Sequence, residues 1–141
     1  MSYLTPSIRL RRTPFSNRVD RAGAKAYTVY NHMLLASYYE TPEEDYRHLK
    51  SAVQVWDVSC ERQVEVKGPD ALRLVQMTTP RDMSRIQDDQ CYYVPMVDAA
   101  GRMMNDPVTV CLNQDRYWLS LADSDMLLYC KGLAAGSGLD V

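Results

Sequence analysis

The 141-residue sequence lacks an excess of charge of either sign and any long apolar run. Its 16 lysines and arginines stand against 18 acids, for a formal net charge of −2, whereas a general nucleic-acid binder carries a basic excess. No apolar run approaches the roughly 20 residues that span a membrane, and none follows the arginine-rich start as a signal peptide requires. These absences predict a cytoplasmic protein that binds neither nucleic acid nor membrane.

Paired metal-ligand motifs and the common catalytic signatures are also missing. The four cysteines are scattered, which predicts free and mostly buried thiols rather than a zinc site or a disulfide framework. There is no G-x-G-x-x-G, P-loop, H-E-x-x-H or G-x-S-x-G motif. Cys60 has no histidine nearby in sequence to act as its base, and His32 and His48 are predicted in a loop and on an exposed helix face. No metal site is predicted.

The first half of the chain contains one clear helix signal. Residues 26–39 show no clean period and are predicted as loop and a short strand. The segment Thr41-Pro42-Glu43-Glu44 is a capping box with proline at the first helical position. The helix that it starts places three apolar side chains on one face, those of Tyr46, Leu49 and Val53. Residues 54–58 are predicted as a short strand.

The second half alternates strand and helix signals. Val64 and Val66 share one face of a predicted strand over residues 62–67. After the break at residues 68–70 a helix is predicted with Ala71, Leu74 and Val75, ending before Pro80. Next comes a predicted hairpin with arms 91–97 and 102–112 around a turn at 98–101, and then a predicted strand over 116–122. The last predicted helix is capped by Asp123 or Ser124 and runs to about residue 135, where Gly136 and Gly138 end it.

This order of elements predicts an α+β fold with a mostly antiparallel sheet and flanking helices. By length the chain corresponds to about one domain. Its last residues, 139–141, resemble the beginning of a strand. The chain, residues 1–141, is therefore expected to be a fragment of a longer protein.

Asp106 is the residue that departs most from its surroundings. Within the predicted strand 102–112 the even positions share one face, so Asp106 points the same way as Met104 and Val108. A carboxylate among apolar side chains loses water and needs hydrogen-bond donors or a positive partner. Pro107 cannot donate to a sheet ladder, which predicts a bulge or an edge here. Asp106 is a candidate site residue, or else an aspartate bonded to nearby backbone amides.

Six short segments, in this order, resemble the N-terminal part of the folate-dependent aminomethyltransferases, the glycine cleavage T-protein family. They are Arg12-Thr-Pro-Phe15, Trp56-Asp-Val-Ser59, Val66-Lys-Gly-Pro-Asp-Ala71, Thr79-Pro-Arg-Asp82, Cys91-Tyr-Tyr93 and Gly101 through Asn105-Asp106. The resemblance implies the first portion of a three-domain fold around a central folate channel. It also implies a catalytic Asp106 near the reactive nitrogens of tetrahydrofolate, with Tyr93, Asp106 and Val108 as cofactor-binding residues.

Further segments are similar to the branch of this family that demethylates dimethylsulfoniopropionate. They include Tyr30-Asn-His-Met33, Glu43-Glu-Asp-Tyr46, Arg62-Gln-Val-Glu65 and Tyr117-Trp-Leu-Ser120. Where the T proteins usually have His-Met-Gly, this chain has Cys60-Glu61-Arg62, and Asn105 stands where they tend to carry an acid. The resemblance thus implies methyl transfer from dimethylsulfoniopropionate to tetrahydrofolate, giving methyl-tetrahydrofolate and methylmercaptopropionate.

Three other functions stay open at the level of sequence. They are an aminomethyltransferase acting on a lipoyl-bound unit, a folate-binding relative without transferase chemistry, and an inactive fragment. The expected partner is a small-molecule methyl donor, whose positive sulfur an aromatic ring such as Tyr92 or Trp118 would attract. Exposed apolar surface on a partial chain should favour association, including homo-oligomers.

Overall fold

The computed structural model describes residues 9–141, and these divide into two compact units that meet in sequence after Cys60. Residues 1–8 lie outside the described part. In the first unit the elements are α1 (Ser16–Arg21), β1 (Ala26–Tyr30), β2 (Met33–Tyr38) and α2 (Pro42–Ser51). In the second they are β3 (Arg62–Lys67), α3 (Ala71–Met77), β4 (Cys91–Tyr93), β5 (Met96–Val97), β6 (Met103–Asn105), β7 (Val108–Asn113), β8 (Arg116–Leu121) and α4 (Met126–Ser137). No helix among the described residues is long and apolar enough to cross a membrane.

The first unit contains a β-hairpin where a loop and one short strand were predicted. Strands β1 and β2 pair antiparallel around Asn31 and His32, both of which have positive φ angles of 49° and 63°. Two consecutive residues with positive φ form the turn that two-residue hairpins favour, usually with glycine at one position. Because this turn has none, the pattern did not reveal the hairpin. His32 is exposed in the turn, as predicted.

Helix α2 begins as predicted, but its apolar side chains are not part of a core. The Thr41 hydroxyl oxygen accepts the Glu44 amide at 3.2 Å, and Pro42 is the first helical residue. No residue of α2 is buried, and Tyr46, Leu49 and Val53 are all exposed. The strand predicted over residues 54–58 does not form. The strand prediction was wrong. The exposure of the three apolar side chains shows that apolar spacing alone does not say whether a face has a packing partner.

The second unit is built on a four-stranded antiparallel sheet in the order β3-β8-β7-β4. A separate antiparallel pair, β5 with β6, continues the β4–β7 hairpin. The strand predictions over 62–67 and 116–122 are confirmed, and so is the α+β class with its mostly antiparallel sheet and flanking helices.

The hydrophobic core lies on one face of this sheet, which we call the inner face. Helices α3 and α4 pack on it, and their buried residues include Leu74, Val75, Met126 and Cys130. The sheet contributes a set of buried alternate residues, namely Val64, Val66, Thr109, Cys111, Tyr117, Leu119 and Leu121. Burying each large aliphatic side chain contributes roughly 1.5–3 kcal/mol. This core fixes which side chains of the same strands remain on the opposite, outer face.

The cysteines are free, as predicted. Cys60, Cys111 and Cys130 are buried, and only Cys91 is exposed. Burial raises the pKa of Cys111 and of Cys130 above the ordinary thiol value. Buried thiols with raised pKa are poor nucleophiles, which favours a packing role for both residues.

The start and end of α4 differ from the prediction by a few residues. Asp125 precedes the helix, rather than Asp123 or Ser124. Gly138 ends it in the left-handed conformation, as predicted, whereas Gly136 lies inside the helix. Residues 139–141 form no strand, and instead the Asp140 amide donates to the Asp70 carboxylate at 3.1 Å.

Gly68 makes the closest backbone approach in the second unit. Its φ is +143°, and a Cβ added there would lie 2.3 Å from the Asp140 carbonyl oxygen and 2.8 Å from the Val141 Cα. Both obstacles are backbone atoms, which cannot move aside as a flexible side chain could. Gly68 therefore permits the contact between the end of β3 and residues 140–141.

We expect Gly68→Ala to destabilise the chain by about 1–3 kcal/mol, because the new methyl group adds a clash to a φ that L-residues avoid. Urea denaturation followed by circular dichroism measures the change. Gly132→Ala is the matched control, since nothing lies within 4 Å of a Cβ at this helical position, and it should leave stability unchanged or raise it by up to about 1 kcal/mol. Equal effects from the two substitutions would contradict the packing argument.

Candidate functional site

The outer face of the four-stranded sheet carries polar and aromatic side chains that are not part of the core. Strand register places Tyr93, Val108, Ser120 and Gln63 in one row across the four strands. The side chains of Tyr93 and Val108 are 56% and 42% exposed, so this face is open to solvent.

Tyr93 and Asp106 form a hydroxyl–carboxylate pair at the edge of the outer face. The Tyr93 hydroxyl donates to Asp106 Oδ2. This bond to a carboxylate raises the pKa of Tyr93 above its ordinary value, with smaller contributions from desolvation and from the negative charge. Tyr93 therefore stays protonated at neutral pH and keeps the Asp106 carboxylate in one orientation.

The Tyr93–Asp106 pair forms because the hairpin made by β4–β5 and β6–β7 is interrupted at the same level in both arms. The β4–β7 and β5–β6 ladders stop on either side of Pro95 in one arm and Pro107 in the other. The Val94 amide donates to the Pro107 carbonyl at 2.9 Å, which joins the two arms at the break. Asp106 falls in this gap, as the proline predicted.

The orientation of this segment differs from the prediction. The side chains of Thr109 and Cys111 are buried in the core, so Val108 lies on the exposed outer face. Asp106 is half-buried at the margin of that face. The prediction that Asp106 lies in an apolar row that excludes water was wrong, because strand alternation does not say which of two faces is covered. Among the described residues, the carboxylate accepts its hydrogen bond from the Tyr93 side chain rather than from a backbone amide.

The structure brings together all three predicted site residues. Tyr93 and Val108 are directly paired across the β4–β7 ladder, and Tyr93 bonds Asp106. Tyr92, on the opposite face of β4, packs against the core and donates its hydroxyl to the Arg85 carbonyl at 3.2 Å. The Arg81 guanidinium lies 4.3 Å from the Tyr92 ring centre. Tyr92 and Tyr93 therefore lie on opposite faces of β4, and the Tyr92 side chain is held by core packing and by its own hydrogen bond.

Trp118 is a second aromatic side chain of the outer face, and an acid fixes its ring. Its Nε1 donates to Glu65 Oε2 at 2.7 Å, and the Arg116 Nε donates to the same oxygen at 2.8 Å. These two bonds, the indole one first, lower the pKa of Glu65. In the neighbouring row, Gln63 Nε2 donates to Ser120 Oγ at 2.7 Å. The outer face is therefore ordered by cross-strand hydrogen bonds.

The sequence reasoning missed the structural roles of two residues, Asn105 and Glu65. Asn105 was considered only as a replaced acid, although its side chain bonds the Asp106 amide at 3.0 Å. Glu65 was considered only as part of a motif. Glu65 lies at an outward position in the alternation of β3 and pairs with Trp118 across the ladder. A prediction of which strands pair would have revealed this contact.

The GCVT N-terminal domain matches residues 15–129 of this chain, which include every strand and helix from α1 to β8. The chain belongs to this family. The match contains Tyr93, Asp106 and Val108.

Relatives with assigned functions lie in two branches of the family. The chain is 59% identical to a dimethylsulfoniopropionate demethylase of Ruegeria pomeroyi over all of its 141 residues, which are 39% of that protein. It is 34% identical to an aminomethyltransferase of Desulfitobacterium hafniense over 110 residues, 78% of this chain and 30% of the other. The chain therefore spans less than half the length of these curated relatives.

A solved structure shows the same fold. The glycine cleavage system aminomethyltransferase T from Bartonella henselae matches with a TM-score of 0.67 and 16% identity, over 89% of this chain and 36% of the other. The expectation of the N-terminal part of the aminomethyltransferase fold is confirmed.

We expect Asp106→Asn to lower the pKa of Tyr93, because the amide that replaces the carboxylate no longer stabilises the neutral phenol by charge. Titration of ¹³C-labelled tyrosine ring carbons by NMR measures the change. Asp20→Asn is the matched control, since the Tyr27 hydroxyl donates to Asp20 at 2.5 Å and the pKa of Tyr27 is raised to about 12. Each substitution should affect its own tyrosine only, and an unchanged Tyr93 titration in Asp106→Asn would contradict the pairing.

The Glu65–Trp118 bond predicts a pH-dependent fluorescence signal. A carboxylate with a lowered pKa keeps its stabilising bonds at pH above its ordinary value of 4.5 and loses them as pH falls through the lower value of the folded state. In a Trp56→Phe background, Trp118 emission should stay constant down to that ordinary value and change below it. Glu65→Gln should abolish the transition, and its persistence would show that another group is titrating.

Proposed function

We propose that this chain forms one wall of the active site of a tetrahydrofolate-dependent methyltransferase that demethylates dimethylsulfoniopropionate. The observation that carries the proposal is the Tyr93–Asp106 pair on an open sheet face, in a chain 59% identical to a demethylase of that substrate. The site residues are Asp106 as the catalytic carboxylate, with Tyr93, Asp106 and Val108 as cofactor-binding residues.

The outer face suits a reduced pterin in its chemistry. The Asp106 carboxylate accepts one bond from Tyr93, and its other lone pairs can accept N–H groups of a ligand. Val108 is exposed two residues further along the chain, and Trp118 is exposed in the next row of the outer face, where it pairs with Val110. Both offer apolar surface to a flat ring. Ligand sites combine apolar lining with a few oriented polar groups in this way.

Bound tetrahydrofolate would supply the nitrogen that accepts the methyl group. The part of Asp106 is to orient that ligand and to favour the positive charge that develops as the methyl group arrives. Tyr93 fixes the direction of the carboxylate, so that little reorganisation is needed during the reaction. No covalent enzyme intermediate is required, because a sulfonium methyl is already activated by its leaving group.

Trp118 is the better candidate for the aromatic ring that attracts the sulfonium. It is 38% exposed on the same face as Tyr93, and Glu65 holds its ring. The Tyr92 ring is on the inner face with the Arg81 guanidinium 4.3 Å from its centre, whereas the Arg116 guanidinium lies 6.0 Å from the centre of the Trp118 ring. A cation over a tryptophan face gains about 0.5–2 kcal/mol.

A second candidate function is aminomethyl transfer, as in the glycine cleavage system. The 34% identity to the Desulfitobacterium hafniense aminomethyltransferase favours it. Assays with dimethylsulfoniopropionate and with an aminomethyl-lipoyl protein would separate the two functions. Activity towards neither, with tetrahydrofolate binding retained, would instead indicate a non-catalytic folate-binding relative.

The test of Asp106 uses a chimera in which this chain replaces the matching 141 residues of the Ruegeria pomeroyi demethylase. We expect Asp106→Asn to lower kcat by about 10²–10³-fold, the loss typical of removing one oriented group that stabilises transition-state charge. Methylmercaptopropionate formation measured by mass spectrometry gives the rate.

Asp115→Asn is the control for this substitution. It makes the same change of charge at an exposed turn between β7 and β8, and it should leave kcat within about twofold of the parent chimera, as surface substitutions usually do. Full turnover in Asp106→Asn would remove Asp106 from the catalytic machinery.

A further inference from the structure

We propose that Asn105 is a positioning residue that fixes the backbone of Asp106 and thereby aims its carboxylate. The proposal rests on the proposed function of Asp106. The observation behind it is a buried side-chain amide whose four hydrogen bonds all go to groups around the break in the hairpin.

Asn105 is 5% exposed and uses its donors and acceptor fully. Its Nδ2 donates to the Ala122 carbonyl at 3.1 Å and to Ser124 Oγ at 2.6 Å. Its Oδ1 accepts the Ala122 amide at 3.1 Å and the Asp106 amide at 3.0 Å. The reciprocal pair with Ala122 reproduces the two bonds of a strand ladder, although the ladder itself has ended.

Only one orientation of the amide suits these partners. With Nδ2 and Oδ1 exchanged, two N–H groups would face the nitrogen and a carbonyl would face the oxygen. The side chain is therefore locked, and the Asp106 amide is locked with it.

The Asp106 backbone amide lies outside the two strand ladders of the described residues, and the acceptor that it has there is Asn105 Oδ1. Strand β6 ends at Asn105 and β7 begins at Val108, so Asp106 is between ladders. Asn105 Oδ1 takes the place of the missing strand carbonyl. With the Asp106 N–H fixed on one side and its carboxylate held by Tyr93 on the other, the residue has little freedom.

An acid at position 105 could not do the same. An ionised carboxylate accepts only, so it would turn an oxygen towards the Ala122 carbonyl and would bury a second negative charge next to Asp106. The four hydrogen bonds of Asn105, which we call the clamp, need a donor and an acceptor in one planar group, and asparagine provides both.

The experiment is a double-mutant cycle in the same chimera, with Asn105→Ala and Asp106→Asn alone and together. We expect Asn105→Ala to lower kcat by about 10–100-fold, since a misplacement of about 1 Å can cost 10²-fold. In the Asp106→Asn background it should lower kcat by less than about threefold, because residues that act through one another are not additive. A merely structural residue would reduce the rate by the same factor in both backgrounds.

Two readouts do not depend on turnover. Asn105→Ala should increase the hydrogen-exchange rate of the Asp106 amide, followed by mass spectrometry of a peptide that covers residues 103–110. It should also weaken tetrahydrofolate binding by several-fold in calorimetry, with no such weakening in the Asp106→Asn background. Asn113→Ala is the matched control, since Asn113 Oδ1 also accepts a backbone amide, that of Asp115 at 3.0 Å, at the other end of β7.

Ser124→Ala serves if Asn105→Ala does not fold, because it removes only one of the four bonds. It should lower kcat by a smaller factor that again disappears in the Asp106→Asn background. Equal losses in both backgrounds, unchanged exchange at Asp106, or unchanged kcat in Asn105→Ala would overturn the inference. Full turnover in Asp106→Asn alone would overturn the proposed function instead, while the exchange measurement would still test the clamp.

Discussion

The inability of Pro107 to donate a backbone hydrogen bond is the constraint from which the site follows. A continuous ladder from Met103 to Asn113 is impossible with this residue inside it, and the hairpin accordingly splits into two ladders. Pro107 is fully buried, so the chain must pass this point without leaving the sheet. Asp106, immediately before it, is freed from strand pairing, and its side chain is left to meet Tyr93. The candidate site therefore lies where the two strand ladders are interrupted.

The two faces of the sheet are ordered by different interactions. The inner face is closed by α3 and α4, and apolar packing determines its side-chain conformations. The outer face is open, and hydrogen bonds across strands hold Tyr93, Trp118 and Ser120. Such solvent-exposed bonds contribute little to folding stability. In the proposed function, these bonds orient side chains before a ligand arrives.

Sequence reasoning succeeded where one local signal was sufficient, as in β3, α3 and β8, and failed where a partner decided the outcome. Val64 and Val66 are buried as alternation predicts. The same rule could not say that the face shared by Val108 and Asp106 is open to solvent, because both faces of β7 carry apolar residues. The apolar spacing of α2 was real, and yet Tyr46 and Leu49 are exposed. Asp106 was found because a charge in such a segment is visible in sequence. Asn105 was not, because its role consists of bonds to Ala122 and Ser124, which are distant in the chain.

The openness of the outer face limits what Asp106 can do in this chain alone. Two unit charges 4 Å apart interact by about 1 kcal/mol in water and by about 4 kcal/mol at the effective dielectric of a protein surface. The difference of about 3 kcal/mol corresponds to roughly two orders of magnitude in rate. In the proposed function, an aspartate that is held in position but surrounded by water would therefore orient a ligand without much stabilising the charge that develops on it. The fold described here supplies the positioning, through Tyr93 and Asn105, and the electrostatic effect of the same carboxylate grows only as water is removed from the face that carries it.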